Sequence, residues 1–385
     1  MRRVTRRCAI TGIISAAALA LPFAGSGCGR RVASEDEIAS SEREQMAAVA
    51  TAFMRNFDVP GLSVAIARKG RLVYDSPFGE ANRQSGERVT VSSLFRIASV
   101  SKPITATAIF TLIERGKLRQ NDKVFGAGAV LGTRFGTPPY KSWVEEITID
   151  HLLTHTCGGW DNSSDDPMFE NLGMDHAQLI GWVLDTKSLQ NPPGTHYAYS
   201  NFGYCVLGRV VEQVSGRAYP DFVREEILAR CGLGDMRISG NTLEEGAPRE
   251  VIYYGQNGED PYDMNVARMD AHGGWLATAR DLVAFLNHVD GFKSTPNILR
   301  PETIRLMTTP SAVNASYARG WAVNNVPNWW HGGSLPGTTT IMVRTASGFC
   351  WAALTNTRRP GQPDMGLALD NMVWEMARKV SAWKV

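Results

Sequence analysis

Ser99 and Lys102 stand three residues apart at the start of an apolar run, residues 103–113. In a helix, side chains at i and i+3 share one face, about 5–6 Å apart at Cβ, and the amino end of the helix adds positive potential where an alkoxide would form. Pro103 is tolerated because a first-turn residue has no intrahelical N–H bond to lose. A partly buried lysine can lose its proton near neutral pH and act as a base toward serine. The pair predicts a serine nucleophile, Ser99, that Lys102 activates.

The Ser-x-x-Lys spacing is not specific by itself, since Ser381 and Lys384 repeat it near the C-terminus, where we assign no role. A second segment, Tyr199-Ser-Asn201, is the only Tyr-x-Asn of the sequence and directly precedes a predicted helix. A tyrosine hydroxyl near a lysine ammonium has a lowered pKa and can pass a proton to a leaving group. Asn201 can hold the lysine or a substrate carbonyl. We therefore expect both side chains beside Lys102.

A third segment, His331-Gly-Gly333, precedes Ser334 and a predicted strand pair. Glycines on an edge strand let a substrate backbone approach and pair with the strand. A backbone N–H from this segment and the N–H of Ser99 would form an oxyanion hole, in which each donor contributes about 3–4 kcal/mol. The same tripeptide occurs at 272–274, where a helix start follows and no strand is predicted. We therefore prefer His331.

The elements that must position these residues form a mixed pattern. Apolar runs joined by short turns predict strand pairs near both ends of the chain, at 61–68 with 71–74 and at 339–344 with 349–355. Apolar periodicity and capping residues predict helices at 42–57, 201–214, 219–231, 278–289 and 365–383. We expect an α+β fold, an α/β sandwich in which both chain ends form one antiparallel sheet with flanking helices and the middle inserts an all-helical subdomain.

The first 27 residues resemble a cleavable export signal. They contain four arginines, no acidic residue and an apolar run, residues 8–24, that is too short for a comfortable membrane span. Ser26-Gly-Cys28 resembles the end of a bacterial lipoprotein box. The sequence thus predicts a signal peptide over 1–27, lipidation of Cys28 and a polar tether over 28–43, with simple cleavage and release as the alternative. We expect an exported protein, periplasmic or membrane-anchored in a bacterial envelope.

The charged residues, histidines and cysteines of the rest of the chain indicate which partners and cofactors to expect. Without residues 1–27, the chain holds 36 basic and 38 acidic residues, so its charge gives no reason to expect nucleic acid as a partner. His151 and His155 have the i, i+4 spacing of zinc ligands, but no Glu follows His151 and no third ligand is evident. We predict no metal and no cofactor. Four cysteines follow Cys28, two of them in strongly apolar runs, and we assign no disulfide.

In their order along the chain, the three segments resemble the motifs of the serine β-lactamase and penicillin-binding superfamily. The similarity is greatest to its class C β-lactamase-like branch, which includes carboxylesterases and D-aminopeptidases. It extends from about residue 45 to the C-terminus, with supporting stretches at 94–99, 149–156, 193–201 and 273–279.

The resemblance implies an acyl-enzyme mechanism. Ser99 attacks a carbonyl, Lys102 and Tyr199 share the base and acid roles, and Ser334 supplies the second oxyanion N–H. It also implies a hydrolase domain over 44–385, with an α/β part at about 44–125 and 300–385 and a helical part at about 126–299.

One position departs from the family pattern. The third motif of β-lactamases and peptidoglycan peptidases usually begins with a lysine that attracts a substrate carboxylate, whereas this chain has His331, mostly neutral near pH 7. We therefore expect a small ester, amide or peptide as substrate. The alternatives are a β-lactamase or D-Ala-D-Ala carboxypeptidase, and a non-hydrolytic envelope protein that binds cell-wall peptide. Pocket shape depends on the loops 157–173 and 241–270.

Overall fold

The computed structural model describes residues 38–163 and 165–383. The predicted signal peptide and Cys28 lie outside the described residues. The strands of the described part are β1 (Gly61–Arg68), β2 (Arg71–Asn82), β3 (Glu87–Arg88), β4 (Phe95–Arg96), β5 (Arg237–Ile238), β6 (Tyr254–Gly255), β7 (Trp275–Ala277), β8 (Ala322–Val323), β9 (Trp329–Leu335), β10 (Thr338–Arg344), β11 (Phe349–Thr355) and β12 (Thr357–Arg358). Its α-helices are α1 (Ser40–Phe57), α2 (Ser101–Glu114), α3 (Ile149–Leu153), α4 (His176–Thr186), α5 (Asn201–Ser215), α6 (Tyr219–Val223), α7 (Ala279–Asn287), α8 (Pro301–Thr308) and α9 (Met365–Arg378).

Both ends of the chain build one seven-stranded antiparallel sheet in the order β3-β2-β1-β11-β10-β9-β8. The hairpin β1–β2 from the beginning of the chain meets the hairpin β10–β11 from its end, because β1 pairs with β11 from Leu62 opposite Thr355 to Arg68 opposite Phe349. The predicted fold, a sheet completed by both chain ends and flanked by helices, is confirmed.

The interior strand β1 is buried on both faces of the sheet. Leu62, Val64 and Ile66 belong to the core that includes buried residues of α1 and α9, whereas Ala65 and Ala67 belong to the larger core on the opposite face. A strand covered on both faces needs apolar residues at almost every position, which explains the nearly continuous apolar run. On the larger-core side, α7 packs against β1 and β11. The sheet is therefore a rigid layer between two groups of helices.

The middle of the chain, predicted to be all-helical, contains α3 to α7 and packs around α2, which is buried throughout 101–112. It also contains three short strands, of which β7 joins β4 and β5 in a second sheet. The prediction that no strand follows 272–274 is wrong, because Trp275–Ala277 forms β7. These three residues are fully buried, so their backbone groups must find partners inside the protein. Their pairing with β4 brings the 272–274 segment beside the turn that carries Ser99.

Several boundaries differ from the sequence prediction. Helix α1 begins at Ser40, so the last residues of the predicted tether are helical, and α9 ends at Arg378. Helix α7 falls within the predicted helical part but packs on the large sheet. Within the described ranges, no helix has the length and apolar character needed to cross a membrane. The cysteines of the described part are all buried and free: Cys157, Cys205, Cys231 and Cys350.

Candidate active site

Ser99 lies in a tight turn at the start of the buried helix α2. A single 3₁₀ turn, Ala98–Val100, precedes the helix, and Ala98 has φ +48°, a left-handed conformation that costs a residue with a side chain about 1–3 kcal/mol. The surrounding sheets hold this turn. The N–H of Ile97 donates to a carbonyl of β7 at 3.0 Å, and its carbonyl accepts from a threonine of β10 at 2.9 Å. Ser99 is the one residue of 93–112 that is not buried. Its side chain is therefore partly accessible to solvent, although the segment around it is buried.

Lys102 is fully buried, and its Nζ lies 3.0 Å from the Oγ of Ser99. The same nitrogen donates to Oδ1 of Asn201 at 2.7 Å and to the backbone carbonyl of His272 at 3.2 Å. Both oxygens can only accept. A neutral amine that donates its two hydrogens to them directs its lone pair toward the serine hydroxyl. Burial lowers the pKa of Lys102 well below its ordinary value, although the charge of Asp166 acts in the opposite direction. The arrangement suits a general base.

Tyr199 lies over the same pair of residues. Its side chain is half-buried and hydrogen-bonded to Ser99, and Lys102 Nζ lies 4.7 Å from the centroid of its ring. The expectation that Lys102 lowers the pKa of Tyr199 is wrong, because burial raises this pKa and the hydrogen bond with Ser99 offsets only part of the rise. Tyr199 therefore keeps its proton in the free protein, which fits a proton donor better than a base.

Asn201, the first residue of α5, connects Lys102 to the loop between α3 and α4. Its Nδ2 donates to Oδ2 of Asp166 at 2.7 Å, and its backbone N–H donates to Oδ1 of Asn162 at 2.9 Å. The other Asp166 oxygen accepts the N–H of Met168 at 3.0 Å. Asp166 was not predicted as a site residue, since no spacing rule links a loop residue to a helix start 35 positions away. Its one signal was its place in the loop 157–173.

Gly333 of β9 packs directly against the turn that carries Ser99. A Cβ on Gly333 would lie 2.2 Å from the Thr340 hydroxyl of β10, 2.4 Å from the carbonyl oxygen of Ile97 and 3.1 Å from Cβ of Ala98, so only glycine allows this approach. Strand β8 pairs with just the first two residues of β9. Within the described ranges, the rest of the outer edge of β9 has no strand partner, and Ser334 on it is exposed. The predicted edge for substrate pairing is therefore present beside Ser99.

His331 is buried, and both of its ring nitrogens are bonded within the protein. Its Nδ1 donates to the Gly332 carbonyl at 2.7 Å, and its Nε2 lies 3.0 Å from the Tyr317 hydroxyl. That hydroxyl also lies 3.1 Å from Nε2 of His155, whose Nδ1 accepts the N–H of Ser200 at 3.1 Å. These fixed partners set the direction of the chain: His155 donates to Tyr317, which donates to His331.

Burial lowers the pKa of His331 to about 3, with a further contribution from Lys102, so the imidazole is neutral near pH 7. A neutral ring with both nitrogens occupied does not offer a positive charge to a substrate. The His155 ring packs against the Tyr199 ring, with centroids 4.2 Å apart and the ring planes tilted by 39°. His331 and His155 thus lie behind Tyr199 and hold the surrounding side chains in place. Tyr317 and His155 were not predicted to belong to this network.

The 272–274 segment, which the sequence made the weaker candidate of the two His-Gly-Gly segments, also contacts the site. The carbonyl of His272 accepts from Lys102, and a Cβ on Gly273 would lie 3.8–3.9 Å from Ala98. The contribution is a backbone oxygen, which no side-chain pattern could indicate. Nε2 of the buried His272 ring has no hydrogen-bond partner in the described part of the chain.

The residues considered for metal binding and the repeated Ser-x-x-Lys lie elsewhere. His151 accepts a hydrogen bond from the N–H of Thr148 at the start of α3 and does not share a ligand site with His155. Among the described residues, no group of three His, Cys, Asp or Glu side chains could hold a metal ion. Ser381 bonds to Glu42, between the C-terminal segment and α1.

The Ser99 hydroxyl lies 3.0 Å from the amine of the buried Lys102, in a fold with a large antiparallel sheet flanked by helices. This combination fits the class of serine hydrolases of the β-lactamase and penicillin-binding type. Residues 46–370 match the family model described as Beta-lactamase. The chain therefore belongs to the beta-lactamase family.

Three known proteins illustrate the similarity of this chain to other members of the family. The chain is 29% identical over 322 residues to penicillin-binding protein 4 of Amycolatopsis lactamdurans, covering 77% of this chain and 81% of that protein. It is 30% identical over 212 residues to esterase EstB of Burkholderia gladioli, covering 51% of this chain and 52% of the esterase. The D-amino acid amidase of Ochrobactrum anthropi SV3, solved with L-phenylalanine amide, superposes with a TM-score of 0.71 at 22% identity, covering 89% of this chain and 99% of that one. This last similarity shows the shared fold.

Proposed function

We propose that this protein is an exported hydrolase that cleaves a small ester, amide or peptide bond through an acyl-enzyme on Ser99. The observation that carries the proposal is the surroundings of Lys102 Nζ. Two acceptors, Asn201 Oδ1 and the His272 carbonyl, take both hydrogens of a neutral amine, and its third neighbour is the Ser99 hydroxyl. A buried lysine held in this way is pre-oriented to accept the serine proton.

The first half of the reaction forms the acyl-enzyme. Ser99 Oγ attacks the substrate carbonyl carbon while its proton passes to Lys102 Nζ. The N–H groups of Ser99 and Ser334 stabilise the oxyanion of the tetrahedral intermediate. When the intermediate collapses, the bond to the alcohol or amine breaks, and Tyr199 gives its proton to the leaving group. Tyr199 regains a proton from the Lys102 ammonium, which restores the neutral amine.

The second half releases the acid. A water molecule attacks the acyl carbon, and the Tyr199–Lys102 pair takes its proton. The bond to Ser99 Oγ then breaks, the carboxylic acid leaves, and the serine recovers its proton from the pair. Because burial keeps the proton on Tyr199 and lowers the pKa of Lys102, we assign the first proton acceptance to Lys102 and the proton donation to Tyr199.

The neutral state of His331 supports the choice of substrate. A group that recognises a carboxylate would need a positive charge at this position, whereas His331 is buried, neutral and bonded to Tyr317 and Gly332. The similarity to an esterase agrees with a small uncharged ester or amide. A β-lactamase, a D-Ala-D-Ala carboxypeptidase and a non-hydrolytic peptide binder are the competing outcomes of the test below.

The test compares the mature protein with Ser99→Ala and with Ser381→Ala, a control that removes the serine of the repeated spacing. The substrates are a short-chain p-nitrophenyl ester, a chromogenic cephalosporin and a D-alanyl dipeptide. We expect ester hydrolysis by the wild type and the control, and a loss of at least about 1000-fold in Ser99→Ala. Intact-mass measurement after a fluorophosphonate probe should show one adduct in the first two proteins and none in Ser99→Ala.

Each of the other outcomes contradicts a specific part of the proposed function. Wild-type ester activity in Ser99→Ala contradicts the nucleophile. A wide preference for the cephalosporin or the dipeptide contradicts the interpretation of His331. A stable adduct without turnover of any substrate supports the non-hydrolytic binder.

Export and anchoring need a separate experiment. We propose cleavage after residue 27 and lipidation of Cys28, with residues 28–39 as the tether before α1. Expression of the whole chain in a bacterium should give a membrane-associated protein whose N-terminal peptide begins at a lipid-modified Cys28, and Cys28→Ser should remove the lipid. Recovery of the uncleaved chain from the cytoplasm would contradict export.

A further inference from the structure

The loop between α3 and α4 holds every residue of the Tyr199-Ser-Asn201 segment. The N–H of Asn162 donates to the Tyr199 carbonyl at 2.9 Å, and the Ser200 hydroxyl donates to the Trp160 carbonyl at 2.6 Å. Asn162 and Asp166 then bind Asn201 through its backbone N–H and its side-chain amide. The loop thus fixes the position of the segment, and Asp166 alone among these contacts acts on the side chain that reaches Lys102.

The contact with Asp166 determines which way the amide of Asn201 points. An amide group has an oxygen that accepts and a nitrogen that donates, and a carboxylate can only accept. The nitrogen must therefore face Asp166 Oδ2, at 2.7 Å, which leaves the oxygen facing Lys102 Nζ, also at 2.7 Å. In the flipped orientation, the amide nitrogen would point at Lys102, and the amine would lose one of its two acceptors.

We propose that Asp166 is a positioning residue for hydrolysis, acting through Asn201 to keep the lone pair of Lys102 directed at Ser99. The inference rests on the proposed function of the Ser99–Lys102 pair. Asp166 is itself held in place, because its other oxygen accepts the N–H of Met168 at 3.0 Å and caps the short helical turn that follows. Its carboxylate is half-buried and Asn201 is buried, so water competes little for the shared hydrogen bond.

Asp166→Asn tests the orientation with almost no change of shape. The N–H of Met168 and the amide of Asn201 bind different oxygens of Asp166, so the one oxygen of an asparagine can occupy only one of these two positions. If it faces Met168, the new NH2 group faces Asn201, where it can donate to Oδ1 and favour the flipped amide. Asp165→Asn is the matched control, because Asp165 is the preceding residue of the same loop, is exposed, and forms an ion pair with Lys187. We expect Asp166→Asn to slow modification of Ser99 by a fluorophosphonate about 10- to 100-fold, and Asp165→Asn to match the wild type.

A double-mutant cycle separates positioning from general support of the loop. If Asp166 acts through the amide, its replacement should change the rate less than twofold once Asn201→Ala has removed that amide. If Asp166 merely stabilises the loop, the two losses multiply. Thermal melting of all four proteins checks that they are folded at the assay temperature.

The pH profile gives a second readout. The groups around Lys102 that carry or can carry charge are Asp166 from the loop, Tyr199 and Tyr204, and the histidines His155, His272 and His331. Asp166 is the group that raises the pKa of Lys102. Its neutralisation should move the acid limb of the Ser99 modification rate to lower pH, because the ammonium loses a stabilising charge. A loss of structure would lower the rate at all pH values without moving the limb.

The two possible failures can be told apart. If the wild type neither forms the adduct nor hydrolyses a substrate, the proposed function fails. If the wild type is active and Asp166→Asn keeps its rate and its acid limb, or if the cycle is multiplicative, the role of Asp166 is contradicted.

Discussion

The tripeptide His-Gly-Gly occurs twice in this chain, at 272–274 and at 331–333, and the two copies reach the Ser99–Lys102 pair from different sheets. The first precedes β7 and offers the carbonyl of its histidine to Lys102 at 3.2 Å. The second lies within β9 and brings its second glycine against the turn that carries Ser99. The same three residues therefore contribute different atoms to the site, a backbone carbonyl in the first copy and a closely packed glycine in the second. The difference arises because the first copy precedes its strand and the second lies within its strand.

In both copies, a Cβ added to the second glycine, Gly274 or Gly333, would clash with neighbouring atoms, but the neighbours differ. A Cβ on Gly333 would meet the backbone of the turn that carries Ser99, whereas a Cβ on Gly274 would lie 2.7 Å from the carbonyl of Val266 and 3.1 Å from the N–H nitrogen of Asp270, in its own preceding loop. Crowding at 333 should therefore disturb activity, and crowding at 274 should disturb folding.

Gly333→Ala should have the largest effect. The added Cβ would clash with the Ile97 carbonyl and the Thr340 hydroxyl and crowd Cβ of Ala98, which forces β9 away from the turn that carries Ser99. A displacement of about 1 Å at the nucleophile can cost about 100-fold in kcat/KM. The measurement is kcat/KM for the ester. Gly332→Ala is the control, since its Cβ would have no neighbour closer than 3.9 Å. Equal activities in the two variants would remove the distinction between the glycines of β9.

Gly274→Ala should mainly lower stability, by about 1–3 kcal/mol, as expected for an overpacked backbone contact. Chemical denaturation measures this free energy of unfolding, and kcat/KM of the folded protein should fall far less than in Gly333→Ala. Gly273→Ala provides the comparison because its Cβ would make ordinary contacts at 3.8 Å and beyond. If Gly274→Ala reduces kcat/KM as strongly as Gly333→Ala, the two segments do not differ as described.

The smallest expected effect is the contribution of His331, in β9, to the pH dependence of the free energy of unfolding. Burial lowers the pKa of His331 to about 3, whereas an unfolded histidine titrates near about 6.5. Between these values the unfolded chain binds more protons, so stability falls as pH falls from about 6.5 toward about 3. His331 should contribute about 1 kcal/mol of this loss between about pH 6 and pH 5.

Denaturation of wild type and His331→Gln at these two pH values checks the contribution. The variant starts less stable, because Tyr317 loses its imidazole partner, but its stability should fall less on acidification. His196→Gln, at an exposed histidine, should keep the wild-type dependence. An unchanged slope in His331→Gln would mean that His331 is not held neutral by burial.

The sequence predicts the parts of this site that are local in the chain. The spacing of Ser99 and Lys102 needs only a helix start, Tyr199 and Asn201 stand directly before α5, and the strand pairs at the two ends indicate the common sheet. The residues that were missed make contacts across long separations. Asp166 meets Asn201 over 35 positions, and the His272 carbonyl meets Lys102 over 170. The pKa of Tyr199 was predicted in the wrong direction because burial, which depends on the whole fold and not on a local spacing, raises it.

The central claim is that Lys102 is neutral and acts as the base toward Ser99. The direct measurement is the rate of Ser99 modification by a fluorophosphonate as a function of pH, followed by intact mass, with Lys102→Ala and with Lys117→Ala as an exposed-lysine control. We predict a wild-type rate that reaches its plateau well below about pH 10.4, the ordinary lysine pKa, an unchanged profile for Lys117→Ala, and loss of the fast reaction in Lys102→Ala. A rate that keeps rising through about pH 10.4, or a Lys102→Ala protein that reacts as fast as the wild type, would contradict the claim.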